Sequence, residues 1–135
     1  MKVNVNEVSG PVLDCLVAGC EKYILTTDGI SLLLERGKEL RILGKSTSSL
    51  SYSPSTDWTQ GGPIIDQEKI WLKFPFMVEG DVEAIHGCFG FPNHINAFGS
   101  TALTAAMRCF VKSKCGDSVE IPDDVFERLN ASSVS

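Results

Sequence analysis

Long apolar stretches are absent from this sequence. None of its 135 residues belong to an apolar run of about eighteen, so we expect no membrane-spanning helix and no membrane partner. The opening residues, MKVNVNEVSG, carry one lysine and no apolar core after it. We therefore expect no signal peptide and a cytoplasmic location.

Close cysteine pairs and a surplus of basic residues are absent too. The five cysteines include no C-x-x-C spacing, which structural zinc sites use, so we predict no metal and no other cofactor. Seventeen acidic residues outnumber twelve basic ones, and the net charge of −5 argues against general nucleic-acid binding. No G-x-x-x-x-G-K-[ST] phosphate loop occurs.

Candidate nucleophile and base pairs are also scarce. The only two histidines, His86 and His94, stand near Cys88 in an H-x-C pattern, but nothing in the spacing fixes their geometry. The hydroxyl groups of the 52–63 segment have no histidine nearby in sequence, as an activated nucleophile would require. We predict no catalytic residue and a protein that is not an enzyme, and the role of the histidines stays open.

What is present favours one small α+β domain. With 43% apolar residues, a chain of this length can bury a core without metal or disulfide staples. We predict a mostly antiparallel sheet packed against two to three helices, with a long ordered irregular loop. A single domain is expected over 1–130, followed by a disordered tail at 131–135.

Residue periodicity predicts the elements of the first third. A short strand is expected at 2–5 and a helix over 11–22, with Pro11 in its first turn. ISLLLERGKELRILG predicts strands at 30–35 and 39–43 around a tight turn at Gly37. We expect four apolar residues of this hairpin to share one face: Leu32, Leu34, Leu40 and Ile42.

The remaining segments are assigned in the same way. IIDQEKIWLKFPF is predicted to be extended, with Pro75 marking an edge strand or strand end near 70–75. VEAIHGCFGF favours a further strand, whereas FPNHINAFGS is predicted to be irregular. The helical stripe in STALTAAMRCFVKSKCG predicts a helix capped by Ser100 or Thr101 and ended by Gly116. DSVEIP favours a short strand and PDDVFERLN a short helix.

The segment YSPSTDWTQGGPIID, residues 52–66, holds the most distinctive chemistry. Two interpretations of it stay open. In the first, its side chains satisfy buried backbone, Asp57 caps one helical turn that a Gly-Gly-Pro run ends, and Trp58 is a core anchor. In the second, hydroxyls and glycine amides form a concave anion site while an aromatic ring stacks on a flat ligand. The residues of this predicted site are Tyr52, Ser53, Ser55, Thr56, Asp57, Trp58, Gly61 and Gly62.

Arg108 is the second candidate. Helical spacing places Arg108 on one face with Thr101, Thr104 and Lys112, away from the apolar stripe. Three interpretations stay open: the arginine belongs to a solvated basic edge, it pairs with a carboxylate such as Asp57 or Asp66, or it acts with Thr104 as a clamp for an anion. The clamp is considered because guanidinium matches phosphate in a two-pronged way.

Two blocks of the sequence resemble a known family. YSPSTDWTQGGPIID and TALTAAMRCFVKSKCGDSVEIP (101–122) are similar to the signature blocks of the NinX-like proteins of tailed phages and prophages, and KVNVNEVSGPVLDCLVAGCE resembles the family's start. The resemblance implies a phage-borne accessory protein and implies no established activity.

Two functions follow as hypotheses. The first is an accessory protein that binds a host or phage protein and assembles as a homo-oligomer, since an edge strand on a small acidic domain favours symmetric pairing. The second is a binder of a small anionic, nucleotide-sized ligand that could sequester a host defence signal, using the 52–63 segment and Arg108.

Overall fold

The computed structural model describes residues 1–27, 31–44, 50–75, 80–86 and 95–134 of the chain. Four α-helices lie in these ranges: α1 (Gly10–Cys20), α2 (Trp58–Glu68), α3 (Ala102–Cys115) and α4 (Asp123–Val134). The strands there are β1 (Lys2–Asn4), β2 (Ile24–Thr27), β3 (Leu32–Arg36), β4 (Glu39–Leu43), β5 (Ser51–Tyr52), β6 (Trp71–Lys73), β7 (Val82–His86), β8 (Ile95–Gly99) and β9 (Ser118–Glu120). The predicted α+β class is confirmed.

The strands form three sheets rather than one. Strand β1 pairs with β9, the second sheet has the order β2-β3-β4-β5, and the third has the order β6-β7-β8. All pairs are antiparallel except β4 with β5. Among the described residues β6 is an edge strand of the third sheet, which agrees with the edge strand predicted near 70–75.

Helix α3 is the central element. It packs against β7 and β8 on one side and against α1 and α2 on others, while α4 packs on α1. Small residues allow α3 to lie close to the third sheet. A Cβ atom added at Gly99 would lie 2.6 Å from the amide nitrogen of Ala105. The core around α3 includes fully buried side chains from most elements, among them Val5, Leu13, Val17, Leu34, Met107, Val111 and Leu129.

Local signals account for α1 and α3. Pro11 stands in the first turn of α1, where its missing N–H costs nothing. The Thr101 side chain caps α3 by accepting a hydrogen bond from the amide of Thr104, and Gly116 follows the last turn with a φ of 87°. The predicted helix over 11–22 is therefore confirmed with a slightly shorter span, and so is the Thr101 cap.

The hairpin is confirmed, but its predicted face is wrong. Gly37 lies in its turn with a φ of 61°, and the register pairs Leu34 with Arg41 and Leu33 with Ile42. Directly opposed residues share a face, so Leu32 and Leu34 face the core with Leu43, while Leu40 and Ile42 lie on the other side. Strand β2, which precedes the hairpin, was not predicted.

The irregular segment is shorter than predicted. It covers 53–57, because α2 begins at Trp58 and continues through the glycine pair and Pro63, where the sequence predicts an end. The prediction that 64–68 is extended is wrong as well. Capping by Asp57 starts the helix, and Lys69 ends it in a left-handed conformation with a φ of 56°. Residues 95–99, predicted to be irregular, form β8.

The structure does not test several of the predictions. Cys88 and His94 lie outside the described residues. Helix α4 is assigned to Val134, beyond the predicted short helix, and the single domain over 1–130 with a disordered 131–135 tail stays a prediction. Within the described ranges, no helix has both the length and the apolarity that a membrane crossing requires.

Candidate functional site

The first half of the predicted site is anchored in the protein interior. Ser55 is 1% exposed, and its amide donates a 2.8 Å hydrogen bond to Oδ1 of Asp14 on α1. The Tyr52 hydroxyl donates to Oε1 of Glu21 at 2.9 Å, and its ring meets the edge of Tyr23 with centroids 5.2 Å apart. These contacts match the first interpretation of the segment, in which its polar groups satisfy buried partners.

Burial perturbs both anchoring groups. Loss of solvent raises the pKa of Asp14 from 3.8 to about 7, although hydrogen bonds from Ser55 act in the opposite direction. Burial, followed by the charge of Glu21, raises the pKa of Tyr52 above its ordinary value. The tyrosine therefore stays a neutral donor to Glu21.

Asp57 is the N-cap of α2, as predicted. Its Oδ1 accepts from the Thr59 amide at 3.0 Å and from the Thr59 hydroxyl at 2.8 Å, while its Oδ2 accepts from Nε2 of Gln60 at 3.0 Å. These bonds lower the pKa of Asp57. Gln60 also accepts from the Ser53 amide through Oε1 and donates to the Ser51 carbonyl, so the cap and the preceding strand form one network.

The two glycines of the segment have different surroundings. Gly61 is buried, and a Cβ atom there would overlap the carbonyl oxygen of Pro54 and lie 2.7 Å from Cδ2 of Leu103. Helix α2 therefore approaches α3 through Gly61. Gly62 has open space nearby, with Cε3 of Trp58 at 3.9 Å from an added Cβ atom.

Trp58 is not the predicted core anchor. Its side chain is 55% exposed. Gly61, rather than Trp58, packs against Leu103 of α3 and against Pro54. Thr56 is exposed as well, and its hydroxyl donates to the Ser53 carbonyl at 3.5 Å.

Arg108 and Thr104 lie on a different side of α3 from the Gly61 contact. Nε of Arg108 donates to the Val8 carbonyl at 2.9 Å, and one terminal nitrogen donates to the Phe98 carbonyl at 2.7 Å. Thr104 is buried, and its hydroxyl accepts from Thr101 at 3.0 Å. The guanidinium thus bonds main-chain carbonyls instead of pairing with Asp57 or Asp66 as predicted.

A groove between α2 and β6 was missed by sequence reasoning. Trp58 and Gly62 line it from the helix, Trp71 lines it from the strand, and Asp66 and Lys69 stand beside them. Trp71 is 62% exposed. A signal for Trp71 was present, since it alternates with Leu72 and shares its strand face with Lys73, the pattern of a solvent-facing residue.

The exposed side of the third sheet continues this groove. The register pairs Trp71 with Ile85, Ile85 with Asn96, and Glu83 with Phe98. Alternation then places Trp71 and Phe98 on the same outer face, and Phe98 is 50% exposed. We call Trp58, Trp71 and Phe98 the aromatic face.

His86 has an acidic partner. Its Nε2 lies 3.3 Å from Oε1 of Glu68, and the same oxygen lies 3.2 Å from Nζ of Lys114. This cluster joins β7, α2 and α3. Whether His86 forms a set with Cys88 and His94 lies outside the described residues.

The fold defines a small α+β protein that carries an anchored 52–57 segment, within the signature segment 52–66, and a capped glycine-containing helix. The family model described as Bacteriophage P22, NinX matches residues 4–114. The chain belongs to this NinX-like family. A search of the curated proteins finds no match.

Proposed function

We propose that this chain is a phage accessory protein that acts by binding a protein partner rather than by catalysis. It works in the host cytoplasm and assembles as a homo-oligomer. The observation that carries this proposal is the aromatic face. Aromatic side chains are enriched where proteins meet, whereas monomeric surfaces seldom group several exposed large rings.

The composition around the aromatic face fits an interface. Asp66 and Lys69 border the groove, and Lys73 and Glu83 stand on the outer face of the sheet. Glu83 also accepts a 2.9 Å hydrogen bond from the Asn96 side chain. Large apolar anchors surrounded by polar groups of both signs are the usual arrangement of a recognition surface.

The signature segment supports binding over catalysis for a separate reason. Its carboxylate, amide and phenol groups are engaged in holding α1, β5 and α2 together. Each of these groups has a hydrogen-bond partner within the fold, which favours a structural role for it over proton transfer to a substrate. Two residues of the segment with hydroxyl groups are exposed, and both hydroxyls donate within the segment: Thr56 to the Ser53 carbonyl and Thr59 to Oδ1 of Asp57.

The experiment compares oligomeric state across matched variants. Size-exclusion chromatography with light scattering would follow the wild type, Trp58→Ala, Trp71→Ala and the control Ile24→Ser. Ile24 is 67% exposed on β2, so the control removes a similar apolar side chain from another surface. We expect the wild type to be an oligomer. Trp71→Ala should raise its dissociation constant by roughly 30-fold or more, because an aromatic anchor is lost.

Two outcomes would count against this proposal. A wild type that stays monomeric at high concentration refutes the homo-oligomer. If that monomer also captures no phage or host protein through the aromatic face, binding of a protein partner fails as well. Equal weakening by Ile24→Ser and Trp71→Ala would show that association does not use this surface.

A second candidate is a flat, nucleotide-sized ligand, which in a phage protein could be a host defence signal. The observation that favours it is that Trp58 and Trp71 border one groove with the cation of Lys69, so a base could stack there beside an anionic group. Of the predicted site residues, Trp58 and Gly62 line this groove.

Thermal shift with a nucleotide panel tests the second candidate. A ligand at 100 times its dissociation constant adds about 2.7 kcal/mol to the free energy of unfolding. We expect Trp58→Ala to abolish such a shift. The same measurement on Arg108→Ala tests whether the predicted anion clamp contributes to binding. If no nucleotide raises the thermal midpoint of the wild type, this candidate is rejected.

A further inference from the structure

Two cysteines that are far apart in sequence meet at the ends of two helices. Cys20 is the last residue of α1, and Cys115 is the last residue of α3. Their Sγ atoms lie 3.5 Å apart. We propose that Cys20 and Cys115 form a two-thiol modification site, which a low-molecular-weight disulfide converts into a disulfide bond between α1 and α3.

The geometry favours closure with little rearrangement. A disulfide needs a sulfur–sulfur distance of about 2 Å, so the two sulfurs must approach by roughly 1.5 Å. Small rotations about the side-chain bonds provide this movement when both cysteines stand at helix ends, where the last turn is the least constrained part of a helix. The packing of α1 on α3 keeps the two helices next to each other.

A pocket gives a reagent access to the thiols. Cys20 and Cys115 both line a pocket of about 310 Å³, together with Cys15, Tyr23 and apolar side chains. Cys115 is exposed and Cys20 is half-buried. Burial, with a further contribution from the neighbouring Cys115 thiol, raises the pKa of Cys20 to about 12. Cys115 is the more exposed of the two thiols, so a reagent reaches it first.

The chemistry balances in two exchange steps. The Cys115 thiolate attacks one sulfur of the reagent disulfide, forms a mixed disulfide and releases one reagent thiol. Cys20, after losing its proton to solvent, then attacks the Cys115 sulfur and releases the second reagent thiol. The protein loses two protons and two electrons, which together are two hydrogen atoms, and the reagent disulfide is reduced to two thiols.

The consequence is a reversible covalent connection between distant parts of the chain. The two cysteines are 95 positions apart, so the bond restricts the unfolded chain strongly. A reducing cytoplasm keeps such pairs as thiols, and an oxidising challenge forms the bond. In the oxidised protein the C-terminal ends of α1 and α3 can no longer separate.

Intact mass spectrometry with oxidised glutathione tests the site. We expect the folded wild type to lose two hydrogens without retaining glutathione, and a thiol reductant to reverse the change. The thermal midpoint of the oxidised form is expected to rise by roughly 6 °C or more over the reduced form.

Variants identify the partner of Cys115. In Cys20→Ser the second exchange step cannot occur, so we expect Cys115 to retain one glutathione. We also expect treatment with oxidised glutathione to leave the thermal midpoint of this variant unchanged. Cys15→Ser is the matched control, because Cys15 lies on the same helix and lines the same pocket. Trypsin leaves Cys15 and Cys20 on one peptide, so mapping in Cys15→Ser assigns the bond to Cys20 without ambiguity.

Two results would overturn the assignment. In the first, the wild type stops at a glutathione adduct on Cys115. In the second, the wild type loses two hydrogens but Cys15→Ser does not, or the bond mapped in Cys15→Ser joins Cys115 to Cys88. Both readouts come from the wild-type protein or from Cys15→Ser, so they do not depend on the folding of Cys20→Ser.

Discussion

The Ser55 amide donates a 2.8 Å hydrogen bond to Oδ1 of Asp14, 41 positions earlier in the chain. Both residues are almost fully buried. This contact joins α1 to the signature segment, and it places a carboxyl group in surroundings that disfavour its charge. The stability of the protein should therefore depend on the protonation of Asp14.

We expect the free energy of unfolding to rise as pH falls through the window set by Asp14. Its pKa is about 7 in the folded protein and 3.8 as the ordinary value. Between these values the folded state holds a proton that the unfolded chain has lost, so acid favours folding. Above pH 7 the carboxyl is charged in both states and this contribution is gone. The full effect is at most roughly 4 kcal/mol.

The Asp14→Asn variant isolates this effect. Its amide oxygen can still accept from Ser55, but it carries no charge at any pH. Urea unfolding of both proteins at about pH 5, inside the window, and at about pH 8, above it, would measure the difference. We expect the wild type to lose more stability than Asp14→Asn between the two values. Equal pH dependence in the two proteins would contradict the assignment.

The glycine pair offers a second prediction in neighbouring positions. Gly61→Ala should destabilise the protein by roughly 2–4 kcal/mol, because its methyl group would overlap Pro54 and Leu103. Gly62→Ala should be neutral or stabilise by up to about 1 kcal/mol, since alanine favours a helix and the space is open. Thermal unfolding of the two variants measures both effects. A tolerated Gly61→Ala would show that α2 does not approach α3 as described.

Arg108 provides a third prediction. Arg108→Ala removes the donor to the Val8 and Phe98 carbonyls and should cost roughly 1–3 kcal/mol in the free energy of unfolding. Lys114→Ala is the control on the same helix, and it should cost less than about 1 kcal/mol because Lys114 is half-exposed and pairs with Glu68. Chemical denaturation compares them. Similar losses would mean that the Arg108 contacts contribute little.

The sequence predicted the elements that carry their own local signals. The stripe and the Thr101 cap of α3, Pro11 in α1 and Gly37 in the hairpin are each set within a few residues, so they could be identified without knowledge of the fold. The α+β class followed from them. The family was also accessible, because its resemblance rests on residue order.

The same reasoning failed where a contact from elsewhere in the chain decides. Gly61, Gly62 and Pro63 disfavour a helix locally, yet α2 continues through them because Asp57 caps it and Gly61 fits against Leu103. Strand β8 forms because β7 pairs with it along its length. Local propensity carries no information about Leu103 as the partner of Gly61, or about β7 as the partner of β8.

The candidate site divides in the same way. The sequence indicated that residues 52–57 were chemically special, and their hydrogen bonds confirm that this segment is anchored. Which rings would face outward was predictable only in part. Alternation with Leu72 indicated that Trp71 faces solvent, whereas no local signal indicated the exposure of Trp58. Their exposure depends on how α2 and β6 are oriented by the core. Ligand binding by the predicted set stays a prediction.

The sequence by itself determined the family, the fold class and the elements whose caps and periods are local. The tertiary structure alone decided which residues meet: Ser55 with Asp14, Gly61 with Leu103, Cys20 with Cys115, and Trp58 with Trp71 across a groove. The reason is physical. Caps and apolar periods act over a few residues, whereas these contacts join positions distant in the chain that only packing around α3 brings together.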